Sequence, residues 1–568
     1  MLQQIQPIVH TLSRGNPMNG SLHYPPTQLS TQGKLARYFQ TAIFWLLPAL
    51  TVLALRLPYF GLNFLNSDEG IYASVARIME KGGLPYRDAW DHAAPGIFYL
   101  YRVLFGVFGS WNMEAVRGSA FVAHLGAALM IGISLRNRRG YIPGLVGGVM
   151  TAVAIGGYLP SDAVSALTEI FMLPPLLGFA WLMLRWCEGQ RLNRLSSGIL
   201  IALAVWFKIH ALLIILFLLV GTLWGRRQAG RISRNDITDV FRIFLYSAAA
   251  YLVLVVPLFI AGGFGGFWSL YVKYNLLYFA SGTYGWEFIS GLWQTAWQWG
   301  FPQFLTVALG VGGCYTLVSN RNRDGGAGRI MIAGLVGSLV MAMAGGRLFG
   351  HYFIPAAAFV GWITGYGFDS LIRSFAEMER RTARTAIIIW IIIFISGALQ
   401  PIIYFHGYAY QQLWSATDKK VESKERLSEI SSKLQEVTQP DQTIWVWGFA
   451  PEIYLASKRD PSSRFINCNY LVGLIPWVNT APNLDTSPSS VPGSWDLLKM
   501  DLTQNPPATI VDVSVTDYQF WGKYPLSSRP ALYSFVQQNY ISIGTFDDFC
   551  LYLRRDLAEK RGIKEGQD

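Results

Sequence analysis

Polar and apolar positions divide this chain into two regimes. Up to about residue 405, apolar runs recur between short polar breaks. A membrane-spanning helix needs about 20 mostly apolar residues. Runs at 42–58, 118–135, 141–158, 164–184, 243–262, 291–317, 330–345, 352–372 and 385–404 predict nine spans. The apolar run 196–224 is interrupted by Lys208 and His210. It predicts two further helices meeting at those residues, which makes eleven. The stretch 95–109, PGIFYLYRVLFGVFG, is short for a span and carries Arg102. It predicts an amphipathic helix lying in the interface, inside a long first loop at 59–117.

Past Ser415 the pattern becomes that of a water-soluble domain. SKERLSEISSKLQEVTQ (423–439) has helical spacing of Leu and Ile, and PEIYLASKR (451–459) and PALYSFVQQNY (530–540) also predict helices. TIWVWG (443–448) and ATIVDVS (508–514) predict buried strands. Alternating helix and strand points to a small α/β domain. The expected organisation is a tail at 1–41, a helical membrane module at 42–405 and a soluble domain at 415–568.

Composition agrees with that division. The 568 residues are 52% hydrophobic and only 14% charged, with a mean hydropathy of +0.30. A soluble protein carries roughly 25% charged residues. The net charge of +11 does not indicate a nucleic-acid partner. Its basic residues sit between apolar runs, and the soluble part has no basic stripe interleaved with aromatics. Cytoplasmic loops of membrane proteins are enriched in Lys and Arg. With the N-terminus inside, Arg136, Arg138 and Arg139, then Arg185, Arg191 and Arg194, then Arg226, Arg227, Arg231 and Arg234, then Arg321, Arg323 and Arg329, then Arg373, Arg380, Arg381 and Arg384 all fall on the inner side. This orientation puts the C-terminal domain outside. The outer segments contain no Asn-x-Ser/Thr sequon, which leans toward a bacterial plasma membrane. Of the four cysteines, Cys468 and Cys550 fall in the outer domain and are the pair available for a disulfide there. No Cys/His spacing marks a zinc site.

Candidate chemistry gathers at the outer ends of the helices. The first loop reads NSDEGIYASVARIMEKGGLPYRDAWDHAAPGIFYLY and holds Asp68, Glu69, Asp88, Asp91, Arg87 and His92. Carboxylates at a membrane edge serve as a general base or bind a cation, or are ordinary solvated loop charges. A second, short loop carries Asp162, followed by Glu169 about seven residues, roughly 10 Å, into an apolar helix. A carboxylate at such depth faces protein or a water-filled cavity. A third cluster is Arg347-Leu348-Phe349-Gly350-His351-Tyr352, with Lys208 and His210 at another outer helix end. Acids and cations at one face suit a substrate with a lipid tail, an anionic phosphate and a reacting hydroxyl. Snorkelling side chains are the plainer account of the cations.

The sequence Asp68-Glu69-Gly70, Tyr72-Ala73, Gly82-Gly83-Leu84-Pro85-Tyr86, Asp88, Asp91 and Pro95-Gly96, following a first apolar helix, resembles the GT-C glycosyltransferases. The branch it most resembles holds the dolichyl-phosphate-mannose protein mannosyltransferases and bacterial relatives such as lipid A aminoarabinose transferase. The Asp162…Glu169 segment, Arg347…His351-Tyr352, and Trp445-Val446-Trp447-Gly448 with Pro451-Glu452-Ile453-Tyr454 are similar to further segments of that family. Relatives often carry Lys before the Pro of the first loop; here His92 stands nearby in Asp91-His92-Ala93-Ala94-Pro95.

The resemblance implies a polytopic GT-C fold and transfer of a sugar from a polyprenyl-phosphate donor, at the outer face, to a hydroxyl on a glycan, lipid or protein. It implies Asp68 as general base with inversion, and Glu69 and Asp162 beside it. Arg347, His351, Lys208 and His92 become candidate phosphate contacts; Asp88, Asp91, Glu169 and Tyr72 become positioning residues. A divalent cation, Mg or Mn, is left open. A transporter would fit many helices too, but its ionisable groups commonly sit at the midplane within repeated halves, and no repeat is visible here. A mere anchor for the outer domain needs far fewer helices.

Overall fold

The computed structural model describes residues 31–62, 64–282, 284–319, 326–414 and 427–563. Most of the expected tail, the loop residues Arg321 and Arg323, and the expected domain start at Ser415 lie outside the described residues.

Among the described residues, ten of the eleven apolar runs coincide with one helix each and the eleventh with two. Arg37–Tyr59 (the helix Thr31–Arg56 from Arg37 on, with the turn after it), Met113–Arg139, Thr168–Cys187, Ala211–Gln228, Arg234–Ile260 and the 381–407 part of Arg380–Trp414 are long and apolar enough to cross a bilayer. Tyr141–Gly156, Arg194–Phe207 and Ala327–Met343 are shorter apolar helices, and Ile354–Ala376 completes the bundle. The expected single span 291–317 is instead two helices, Trp286–Gly300 and Phe304–Ser319, meeting at 104°. Gly300-Phe301-Pro302 lies at this bend, and proline both removes a backbone donor and clashes with the preceding turn. The break at Lys208 falls where expected: Lys208 is extended (φ −157°, ψ 117°) between Arg194–Phe207 and Ala211–Gln228.

The first loop folds into two helices. Asn66 caps Ser67–Glu80 by accepting from the Asp68 N–H at 2.9 Å, and Asp68 and Glu69 in the first turn complement the helix dipole. The 95–109 stretch becomes Pro95–Phe108, with Ile97, Phe98, Tyr101 and Phe105 buried and Val103, Val107 and Phe108 exposed.

The C-terminal domain carries a four-stranded mixed sheet: β1 (Ile444–Trp447), β2 (Thr509–Asp512), β3 (Tyr540–Phe546) and β4 (Phe549–Arg554), in the order β1-β2-β4-β3. β1 and β2 are parallel and fully buried, the reason they read as continuous apolar runs. The β3–β4 hairpin, absent from the sequence reading, is antiparallel. Helices Ser428–Val437, Glu452–Ser457 and Pro530–Asn539 stand where expected. Among the described residues no cysteine is in a disulfide, so Cys468 and Cys550 do not pair. The Cys468 thiol donates to the Val446 carbonyl instead.

One apolar core runs from the helices into this sheet. The first loop is the joint. Arg77 and Lys81 both pair with Asp460, Trp90 N–H donates to the Arg464 carbonyl at 2.8 Å, and the Trp90 and Phe465 rings lie 4.8 Å apart. A Cβ on Gly70 would stand 2.8 Å from the backbone of Pro451 and Glu452. Only glycine lets the Ser67–Glu80 helix lie that close to the outer domain.

Candidate functional site

A cavity of about 620 Å³ lies between the helix ends, the first loop and the outer domain. Asp68, Tyr72, Asp91, His92, Asp162, Glu169, Lys208, Arg347 and His351 all line it. Nine of the sequence-derived candidates thus converge, although they are spread over residues 68–351.

Two candidates do not line it. Glu69 points away and is wholly buried. Its carboxylate pairs with Arg117 at 2.7 Å and accepts from the Ala166 N–H at 2.9 Å. Arg117 also donates to the Tyr59 and Phe60 carbonyls, so this pair ties the first helix's end to the first loop. Asp88 pairs with its neighbour Arg87 and accepts from Leu84 N–H; it shapes the Gly-Gly-Leu-Pro-Tyr turn. These partners engage both carboxylates away from the cavity.

The remaining acids differ in how they are neutralised. Glu169 is the second residue of Thr168–Cys187, after an extended Leu167, so it sits at a helix start rather than deep inside a helix. Lys208 donates to it, and so does the Thr168 hydroxyl. Asp162, in the turn Pro160–Ala163, is 2.8 Å from His351 Nδ1. A Cβ on Gly350 would come within 2.7 Å of the Asp162 carboxylate, so that glycine admits the acid. Burial opposes charge on His351, but Glu169 and Asp162 outweigh it and raise its pKa.

Asp68 has no such partner. Among the described residues no hydrogen bond or ion pair holds its carboxylate. Burial raises its pKa, His351 and Lys208 act the other way, and Glu169 and Asp162 add to the rise. Asp91 is buried beside it and pushed up to about 7 by burial, against a hydrogen bond from Ala93 N–H at 2.7 Å. Burial raises the Tyr72 phenol well above its ordinary range, and Asp68 and Asp91 add to this.

The cations also differ. Arg347 is buried and has no acid partner among the described residues. It donates to the Tyr278 carbonyl at 2.7 Å and the Ser281 hydroxyl at 2.9 Å, its guanidinium lies 3.4 Å from the Tyr278 ring centre, and its Nε has no acceptor. The pKa of His92 moves down. Burial, then Arg347 and Lys208, lower it to about 3. Its Nδ1 is 3.1 Å from the Tyr470 hydroxyl, and its ring packs on Tyr274 and Tyr278.

Sequence reasoning missed one whole wall. Tyr271, Tyr274, Asn275 and Tyr278 come from a π-helical stretch, Phe267–Tyr274, and the short helix after it. The 263–290 segment is apolar but broken by Ser269, Lys273 and Asn275, and no charge cluster marks it; π turns are nonetheless frequent at functional sites. The outer domain adds Glu452, Asn467, Asn469, Tyr470, Trp477, Tyr518 and Gln519.

Among the described residues no group of three or more His, Cys, Asp and Glu is placed to hold a metal ion. Asp162 Oδ1 faces His351, and Glu169 accepts from Lys208 and Thr168.

The architecture has solved counterparts. ArnT from Cupriavidus metallidurans bound to undecaprenyl phosphate superposes with a TM-score of 0.56 and 11% identity, over 92% of this chain and 98% of that one. The chain has the GT-C fold. The archaeal oligosaccharyltransferase AglB from Archaeoglobus fulgidus, in complex with an inhibitory peptide and a dolichol-phosphate, matches with a TM-score of 0.54 and 14% identity, over 90% of this chain and 74% of that one. No family model and no curated protein matches the sequence. GT-C architecture thus persists here where residue identity has almost vanished, and the polytopic helical module with a C-terminal α/β domain is common ground.

Proposed function

We propose that this chain is a membrane glycosyltransferase that moves a sugar from a polyprenyl-phosphate donor to an acceptor hydroxyl. One observation carries the reading: a single cavity holds a carboxylate with no cation on it, Asp68, and a buried guanidinium with no acid on it, Arg347. A base and an unneutralised cation are what the two ends of such a transfer need. Two proteins of the same fold were solved with undecaprenyl phosphate and dolichol-phosphate respectively, which supports a lipid phosphate as the donor's leaving group.

The acceptor hydroxyl attacks the anomeric carbon from the face opposite the phosphate and inverts it. Its proton passes to Asp68, the bond from the anomeric carbon to phosphate oxygen breaks, and polyprenyl phosphate departs with the electron pair. A pKa raised by burial makes Asp68 a stronger base than a free aspartate, and general-base help is worth about 10²–10⁴-fold. Arg347 supplies donors where negative charge develops, in a fork suited to phosphate oxygens. Lys208 and His351 add positive charge, tempered by Glu169 and Asp162. No step is assigned to a metal. The acceptor is a glycan, a lipid or a protein.

The same reading places the cavity at the outer, non-cytoplasmic face of a plasma membrane, with the N-terminus inside. Several helices that reach the cavity with one end carry arginine at the other: Glu169 and Arg185, Lys208 and Arg194, His210 and Arg226 with Arg227. Clustered arginines mark the cytoplasmic side.

Membranes containing the protein, incubated with radiolabelled polyprenyl-phosphate sugars, test the proposal. Label is expected on an endogenous acceptor. Solute flux without covalent transfer from any donor would replace this reading with a transporter.

A further inference from the structure

The outer domain contributes a wall whose hydrogen-bonding groups are unused. Asn467 and Asn469 line the cavity and are 3% and 6% exposed. Neither side-chain amide makes a hydrogen bond within the described residues, and both amide oxygens are buried without a partner. Buried amides left unpaired cost free energy. In a native structure, such groups on a cavity wall mark a ligand that completes them.

Their position says which part of a ligand they meet. Asn469 precedes Tyr470, whose hydroxyl is 3.1 Å from His92; the His92 ring packs 4.9 Å from Tyr278, on which Arg347 lies. The same wall continues through Glu452, whose carboxylate takes the Tyr518 hydroxyl bond, to Gln519, which donates to the Ser67 hydroxyl at 2.9 Å, next to Asp68. It therefore covers the interval between Arg347 and Asp68. An amide donates and accepts, as a sugar hydroxyl does, and it carries no charge.

Building on the glycosyltransferase reading, we infer that Asn467 and Asn469 of the outer domain read the hydroxyl pattern of the transferred sugar, a neutral polyhydroxy ring held between Arg347 and Asp68. The membrane half grips the lipid phosphate, and the soluble half selects the sugar.

The test uses the full chain, purified in lipid nanodiscs. The probes are bare undecaprenyl phosphate and undecaprenyl phosphate carrying glucose, galactose, mannose, N-acetylglucosamine, arabinose or 4-amino-arabinose. At least one neutral sugar is expected to bind about tenfold more tightly than the bare lipid, in line with one or two hydrogen bonds. That gain is expected to vanish in Asn467→Leu and Asn469→Leu while bare lipid binds as in wild type, which also shows the variants folded. Asn467→Ser and Asn469→Ser, which keep a donor and an acceptor, serve where the leucine variants do not fold, and are expected to retain part of the gain. A gain that survives in the leucine variants, a gain confined to the amino sugar, or no gain for any sugar over a bare lipid that does bind would each overturn the inference. Failure of bare lipid phosphate to bind wild type would instead remove the glycosyltransferase reading itself.

Discussion

His351 Nδ1 lies 2.8 Å from Asp162 Oδ1, across 189 residues of sequence. That pairing and Lys208 on Glu169 engage two of the cavity's acids, whereas the Asp68 carboxylate has neither an ion pair nor a hydrogen bond among the described residues.

Replacing Asp68 by Asn is therefore expected to lower sugar transfer by about 10²–10⁴-fold, with lipid-phosphate binding and melting temperature close to wild type. Asp162→Asn is expected to cost less in rate and more in His351 charge. Initial rates in the radiolabel assay check both. Equal transfer in wild type and Asp68→Asn would move the base elsewhere.

Arg347→Ala is expected to weaken binding of undecaprenyl phosphate by about tenfold or more, the worth of a charge-assisted hydrogen bond. Arg347→Lys is expected to recover only part, since lysine cannot fork onto two oxygens. Titration calorimetry in nanodiscs measures each; unchanged affinity in Arg347→Ala would place the phosphate away from this residue.

Glu69→Ala removes half of a buried ion pair. Such a loss costs about 3–5 kcal/mol, because the Arg117 charge stays buried. A sharp fall in folded, monodisperse protein is expected, with transfer per folded molecule largely kept. Chemistry lost at full stability would return Glu69 to the catalytic set.

Asp91 ties stability to pH. Its pKa is about 7 in the folded chain and about 3.9 for a free aspartate. A raised folded value means that the group's contribution is full below about 4 and fades as pH climbs through 7. Asp91→Asn is expected to gain melting temperature relative to wild type between pH 6 and pH 8. Parallel melting curves across that range would mean that Asp91 is ionised without penalty.

The helical module was legible because lipid imposes long apolar runs and arginine marks one side of them. The 104° break between Trp286–Gly300 and Phe304–Ser319 was not, since both arms are apolar and together match one span in length. The parallel strands β1 and β2 showed as apolar runs, whereas β3, of mixed burial, begins at the last residue of the expected helix 530–540 and carries no such run. The site's acids were legible from the Asp-Glu-Gly motif. Which of them are neutralised was not: Glu69 meets Arg117 over 48 residues and Glu169 meets Lys208 over 39, and only the fold sets those distances. Asn467 and Asn469 carry no signal of their own in an uncharged stretch of the outer domain.

The close seat of Gly70 on Pro451 and Glu452 has a consequence for biogenesis. Ribosomes deliver the membrane helices first and the roof of the cavity last. A half-made chain already inserted in the bilayer owns its base and its arginine but encloses no chamber. Competence would therefore arrive in one step, when the outer domain settles onto that glycine, so that unfinished copies stay inert toward the lipid-linked sugars around them.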